Sequence, residues 1–172
     1  MDKMKSICLI GFMGSGKTTL GKALADELSV NFFDTDEEIV KWRNMDIPGI
    51  FESEGEKNFR EYESEVFKRL PVNDAVIATG GGIIESRNNR EWLKQHLMTV
   101  YLKTSFKEIQ RRLSFEQNRP LWNQEMNEKK RLYESRQRLY EECANQIIHT
   151  DEKTIEELLR SVQNSINFSK QG

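Results

Sequence analysis

Residues 11–18 read GFMGSGKT, and no other stretch restricts the fold of the chain as much. The run fits G-x-x-x-x-G-K-[ST] in full, with Gly11, Gly16, Lys17 and Thr18 in the fixed places. Such a loop works between a strand that delivers the chain and a helix that leaves from it. Its glycines turn backbone N–H groups inward on phosphate, and the helix amino terminus adds its positive end. The apolar run SICLI (6–10) precedes the loop and a helical pattern follows it. The expected phosphate cradle is Gly14, Ser15, Gly16, Lys17, Thr18 and Thr19, with Lys17 bridging the β- and γ-phosphates and the Thr18 hydroxyl binding Mg²⁺. A glycine-rich turn with an incidental lysine is the plainer alternative. The loop by itself does not separate kinases from ATPases or switches.

The rest of the chain alternates in the same way. SICLI (6–10), VNFF (30–33), AVIAT (75–79), MTVYL (98–102) and QIIH (146–149) are short apolar runs that predict strands. Amphipathic segments lie between them. Phe59, Tyr62, Val66, Phe67 and Leu70 form one stripe, and Ile155, Leu158, Leu159, Val162 and Ile166 another. This order predicts βαβ crossovers and one three-layer α/β domain over 1–172, a parallel sheet with helices on both faces. The tail NFSKQG, 167–172, is expected to fray.

Four further stretches could carry chemistry. FFDTDEEI places Asp34 and Asp36 at the end of the second strand, where ligands of parallel sheets gather. One carboxylate could serve a metal and the other an acceptor hydroxyl; alternatively the pair only caps a helix. In NFREYESE, Arg60 and Glu63 share a helix face, which reads at its plainest as an exposed ion pair of ~0.2–0.5 kcal/mol. ATGGGII sets Gly80, Gly81 and Gly82 where the third strand leaves the sheet, so that backbone amides can approach a small ligand. A Walker-B aspartate would stand near there, but the run reads Ala78-Thr79, which leaves Asp34 as the nearest replacement. QRRLSFEQNRPLW carries Arg111, Arg112 and Arg119 through what reads as a mobile loop, and ESRQRLYEECA carries Arg136 and Arg138 on a helix. Guanidinium forks suit phosphate and carboxylate, although for Arg111 and Arg138 a solvated helix face is the better expectation.

A formal charge of −2 gives no pull toward nucleic acid or an anionic membrane. No apolar run approaches the roughly 18 residues of a membrane span. Two cysteines, Cys8 and Cys143, are too few for a disulfide framework, and Cys8 reads as a buried thiol. With no secretory h-region at the amino terminus, the expected address is the cytoplasm.

The P-loop, DTD, FREYE, GGG, RPL and RxxLYEExA together resemble the shikimate kinase family in order and approximate spacing, from about residue 7 to residue 150. The resemblance implies a P-loop kinase fold like that of the nucleoside monophosphate kinases, with strand order 2-3-1-4-5. It implies transfer of the ATP γ-phosphate to the 3-hydroxyl of shikimate, with Mg²⁺, by a monomer that needs no partner beyond its small-molecule substrates. By position, Asp36 matches the residue that holds the shikimate hydroxyls and Asp34 the one beside Mg²⁺. Arg60 and Arg136 match the arginines that grip the carboxylate, with Glu63 orienting Arg60. Gly81, the middle of Gly80–Gly82, matches a backbone contact to the substrate. Arg119 matches an arginine that reaches the phosphates from a lid (about 114–125), and Arg112 one that stacks near adenine. Trp122, Arg138 and His149 depart from the family pattern, the last in the region expected to meet adenine. A gluconate-type or nucleoside monophosphate kinase, and a non-catalytic nucleotide switch, are the rival classes. The first would not require FREYE, GGG and RPL together, and the second would need only the loop.

Overall fold

The three inner strands of the central sheet are buried on both faces, which is why they read as continuous apolar runs rather than alternating ones. The computed structural model describes residues 3–114 and 125–170. Five parallel strands, β1 (Ile7–Ile10), β2 (Asn31–Asp34), β3 (Ala75–Ala78), β4 (Met98–Lys103) and β5 (Gln146–His149), lie in the order β2-β3-β1-β4-β5. Around them run α1 (Lys17–Leu28), α2 (Thr35–Arg43), α3 (Ile47–Arg69), α4 (Arg87–His96), α5 (Phe106–Leu113), α6 (Met126–Cys143) and α7 (Ile155–Lys170). Ile7 and Leu9 point to the face covered by Leu20 and Leu24 of α1 and Val162 of α7. Cys8 and Ile10 point to the other face, with Phe67, Leu93 and Tyr140. Burial of each such leucine contributes about 1.5–3 kcal/mol. A third cluster, Ile39, Ile50, Phe59 and Val66, joins α2 to α3.

All five strands run the same way, so the loops that leave β1, β2 and β3 open on one edge of the sheet, the edge where such folds place ligands. Asp34 is the last residue of β2 and pairs with Ala78 of β3.

The structure departs from the sequence expectations in several places. Arg111 and Arg112 belong to α5 rather than to a loop, because Ile109 and Leu113 bury at helical spacing and Ser105 caps the start. The stripe that begins at Phe59 belongs to a longer element, α3, that starts at Ile47 with Pro48 in its first turn and breaks at Gly55, where φ is 82°. Helix α7 continues to Lys170, past the point where fraying was expected. Arg119, Trp122 and nearly all of the expected lid lie outside the described residues.

Candidate active site

The loop after β1 takes its shape from left-handed backbone at Gly14 (φ 81°) and Gly16 (φ 90°), a region that favours glycine. Gly16 is the residue from which α1 departs. Lys17 folds back over the loop, its Nζ donating to the Gly11 carbonyl at 2.7 Å and the Phe12 carbonyl at 3.0 Å. The ammonium is buried and held by those two carbonyls. Arg112 braces the loop from α5: its Nη1 donates to the Gly14 carbonyl at 3.0 Å and its Nε to Glu108 at 2.9 Å. Hydrogen bonds from Arg111 and then Arg112 hold the Glu108 carboxyl down at about 2.

Asp34 serves two neighbours at once. Its Oδ1 caps α2, accepting from the N–H groups of Asp36 (2.9 Å) and Glu37 (3.2 Å), while Oδ2 accepts from the Thr18 hydroxyl at 2.7 Å. Capping and metal service are therefore compatible, because each uses a different oxygen. The Thr79 hydroxyl, in the Walker-B neighbourhood, donates to the Leu9 carbonyl at 2.9 Å and is committed to the sheet. Asp34 stands one strand over from that position and faces Thr18.

These groups line a cleft of about 610 Å³. It runs from Asp36, Gly80 and Gly81 past residues 13–19 and Arg112 to Thr150, Lys153, Ile155 and Leu158. Of the last four, Thr150 and Lys153 were not singled out in the sequence, and Ile155 and Leu158 were read there only as part of a helical stripe, the one that α7 carries. His149 is exposed and does not line the cleft, whereas the next residue, Thr150, does.

Behind Gly80–Gly82 lies a buried charged cluster. The three glycines have no left-handed backbone, so they are required for space rather than for conformation. A Cβ on Gly80 would meet Glu63 Oε2 at 2.5 Å and Asp36 Oδ1 at 2.9 Å. On Gly81 it would approach Arg136 Nη1 at 3.3 Å, and on Gly82 it would overlap the Arg60 guanidinium. The structure thus brings Asp36, Arg60, Glu63 and Arg136 together around one wall. Arg60 donates through Nη1 to Glu63 at 3.0 Å and through Nη2 to Glu56 at 3.3 Å.

Glu63 is not the exposed partner of an ordinary helix pair: its side chain is 1% exposed. Burial, reinforced by the Asp36 charge and opposed by Arg60, pushes its carboxyl up to about 7. Burial works against the charge on Arg60, but Glu63, Glu85 and Glu56 more than offset it and raise its pKa. Arg136 is buried among Phe12, Gly81 and Glu85, whereas Arg138, two residues on, is exposed. Two residues that the sequence did not single out complete the cluster. Glu85 accepts from Arg136 Nε at 3.4 Å, and the Tyr140 hydroxyl donates to the Gly81 carbonyl at 2.5 Å. Tyr140 lay within a quoted motif, but its helical position alone reads as core.

Two buried donors, Arg60 Nε and Arg136 Nη2, have no hydrogen-bond partner among the described residues, and neither has Glu63 Oε2. Buried polar groups are almost always satisfied, so such a cluster marks a place for a polar ligand. Chemically, the cleft offers a phosphate cradle with Asp36 at one end, and the guanidiniums of Arg60 and Arg136 stand behind the Gly80–Gly82 wall at that same end.

The comparisons with known proteins converge on one family. The sequence matches the family model for shikimate kinase over residues 13–167. It is 42% identical over 165 residues to shikimate kinase of Bacillus cereus (strain G9842), an alignment covering 95% of this chain and 99% of that protein. The fold is similar to a structure of shikimate kinase from Acinetobacter baumannii in complex with shikimate, with a TM-score of 0.93, 38% identity, and coverage of 98% and 96% of the two chains. It is also similar to shikimate kinase from Aquifex aeolicus, with a TM-score of 0.86, 36% identity, and coverage of 96% and 98%.

Proposed function

The chain belongs to the shikimate kinase family, and from that premise we propose how its own residues move the γ-phosphate of ATP to the 3-hydroxyl of shikimate, giving shikimate 3-phosphate and ADP. One observation supports the acceptor most directly. Two guanidiniums, that of Arg136 buried and that of Arg60 partly exposed, each with a buried donor lacking a hydrogen-bond partner, converge behind a wall of three glycines. Their natural complement is a small carboxylate, which can take charge-assisted bonds from both.

In this reading Arg60 and Arg136 grip the carboxylate, and Glu63 fixes the rotamer of Arg60. The backbone of Gly80–Gly82 lets the ring come close. Asp36 orients the 3-hydroxyl toward the phosphate and accepts its proton as the new P–O bond forms. The amides of Gly14–Thr19 cradle the phosphates, and Lys17 exchanges the Gly11 and Phe12 carbonyls for the β- and γ-phosphate oxygens. Arg112 keeps the loop in place beside the nucleoside end, where Thr150 and Lys153 face the base. Arg119 supplies a further cation from the lid.

Mg²⁺ accompanies ATP in this reading, supplying charge neutralisation on the phosphates when bound. The Thr18 hydroxyl and the Asp34 carboxylate are hard oxygen donors 2.7 Å apart, which suits an ion that takes its remaining ligands from phosphate and water. Among the described residues no helix is long and apolar enough to cross a membrane. We assign the enzyme to the cytoplasm and to a monomer.

The test is ADP release measured with shikimate, gluconate, AMP or no acceptor. Release that depends on shikimate is expected. Equal release with gluconate or AMP would replace the acceptor, and release without any acceptor would make the protein an ATPase.

A further inference from the structure

Glu85 has no part in the division of labour above. It ends the 3-10 turn Ile83–Glu85 that follows the triple glycine, and its carboxylate lies between the two arginines. Oε1 accepts from Arg136 Nε at 3.4 Å, and Oε2 stands 3.9 Å from Arg60 Nε. Both contacts are long beside the roughly 2.7–2.9 Å of a well-formed charge-assisted bond. Glu63 is a useful contrast. It meets Arg60 at 3.0 Å with its side chain 1% exposed, whereas the Glu85 side chain is 40% exposed. One carboxylate is locked in the cluster and the other is loosely held at its mouth. The loose one sits beside Arg60 Nε, one of the two buried donors that lack a hydrogen-bond partner.

We propose that Glu85 is an internal stand-in for the acceptor's carboxylate: it bridges Arg60 and Arg136 when the acceptor is absent, gives way when it binds, and so sets the affinity for it. A buried guanidinium and a partly exposed one held close together repel one another, and a carboxylate between them offsets that repulsion. A substrate carboxylate that comes closer makes stronger bonds. Its net affinity is the difference between those bonds and the Glu85 contacts it replaces. The inference rests on the reading that Arg60 and Arg136 grip the acceptor carboxylate.

The test is calorimetric titration of shikimate, and of its uncharged methyl ester, into the wild-type chain and the Glu85→Gln, Glu85→Ala and Arg60→Gln variants. Both Glu85 variants are expected to bind shikimate about two- to fivefold more tightly, the scale of an ion pair with one exposed partner. Their affinity for the ester should not change. Without ligand they should melt below wild type, and their upward shift on saturating shikimate should exceed the wild-type shift. Unchanged or weaker shikimate binding in both Glu85 variants, with Arg60→Gln still impaired, would overturn the stand-in role alone and make Glu85 a positioning residue. If Arg60→Gln bound shikimate like wild type, or the ester bound wild type as tightly as shikimate, the carboxylate grip itself would fall, and the inference with it.

Discussion

The phosphate loop and the acceptor pocket are neighbours in space, yet they are built in opposite ways. The loop is contiguous. Its shape comes from left-handed backbone at Gly14 and Gly16, and its lysine bonds to carbonyls five and six residues away. The acceptor pocket draws Asp36 from α2, Arg60 and Glu63 from α3, Gly80–Gly82 from the end of β3, and Arg136 from α6. Even their glycines differ: those of the loop supply conformation, and those of the pocket supply room. A local device can be recognised from its spelling. A pocket assembled across a hundred residues depends on packing to give each charge its partners, and packing makes Glu63 and Arg136 unlike ordinary surface ions.

The sharpest way to break this comparison is in the loop. Lys17→Ala should lower kcat by roughly 10²–10³-fold or more, the scale of losing one preorganised donor at the developing charge. Circular dichroism should show the fold intact, since the hydrogen bonds to the Gly11 and Phe12 carbonyls hold the loop rather than the sheet. A folded variant with near-normal turnover would show that the lysine does not serve the phosphates.

In the pocket the expected effects are smaller and fall on binding. Arg60→Ala and Arg136→Ala should each raise the shikimate dissociation constant about ten- to a hundredfold, since a charge-assisted hydrogen bond contributes roughly 1.5–3 kcal/mol. ATP binding should be largely spared. Because Arg136 is buried, its variant is read beside a thermal melt, and Arg60→Ala carries the result if Arg136→Ala unfolds.

The two aspartates sit where the halves meet and should fail differently. Asp34→Asn retains an oxygen for the α2 cap but loses the charge that faces Thr18, so the Mg²⁺ concentration for half-maximal rate should rise several-fold. Asp36→Asn should instead weaken shikimate binding and turnover with the Mg²⁺ dependence unchanged. Paired Mg²⁺ and shikimate titrations decide it; matching profiles would erase the boundary between loop and pocket.

A subtler effect appears in stability against pH. The Glu63 carboxyl titrates near 7 in the fold and near 4.5 when exposed. Between those values the folded state holds a proton that the unfolded state has released. The contribution of Glu63 to stability is therefore full below about pH 4.5 and is lost as pH rises through 7. Melting of the wild type, compared with Glu63→Gln from pH 4.5 to 7.5, should show that slope in the wild type and a flatter curve in the variant. The smallest effect belongs to Arg138→Ala. Its exposed side chain should leave shikimate binding within about twofold of wild type, as surface substitutions do. A large loss there would mean that α6 presents a different face to the pocket.

Much of the fold followed from the sequence alone. Two-faced burial forces apolar runs on parallel strands, so SICLI, AVIAT and MTVYL declared themselves, and the eight residues from Gly11 to Thr18 announced a phosphate site through local backbone chemistry. The roles of the candidate acceptor residues came by resemblance; position alone left Asp34 and Asp36 open between metal, acceptor and helix cap, and left Arg60–Glu63 as an exposed pair. The tertiary structure decided what those side chains are. It buried Glu63 until its carboxyl resists ionisation, and it chose Arg136 over Arg138 by the turn of one helix. It also gave Asp34 one oxygen for the cap and another for Thr18, and set Glu85 and Tyr140 against partners 51 and 59 residues away. Desolvation and charge pairing depend on which groups meet in space, and a linear pattern records only which groups exist.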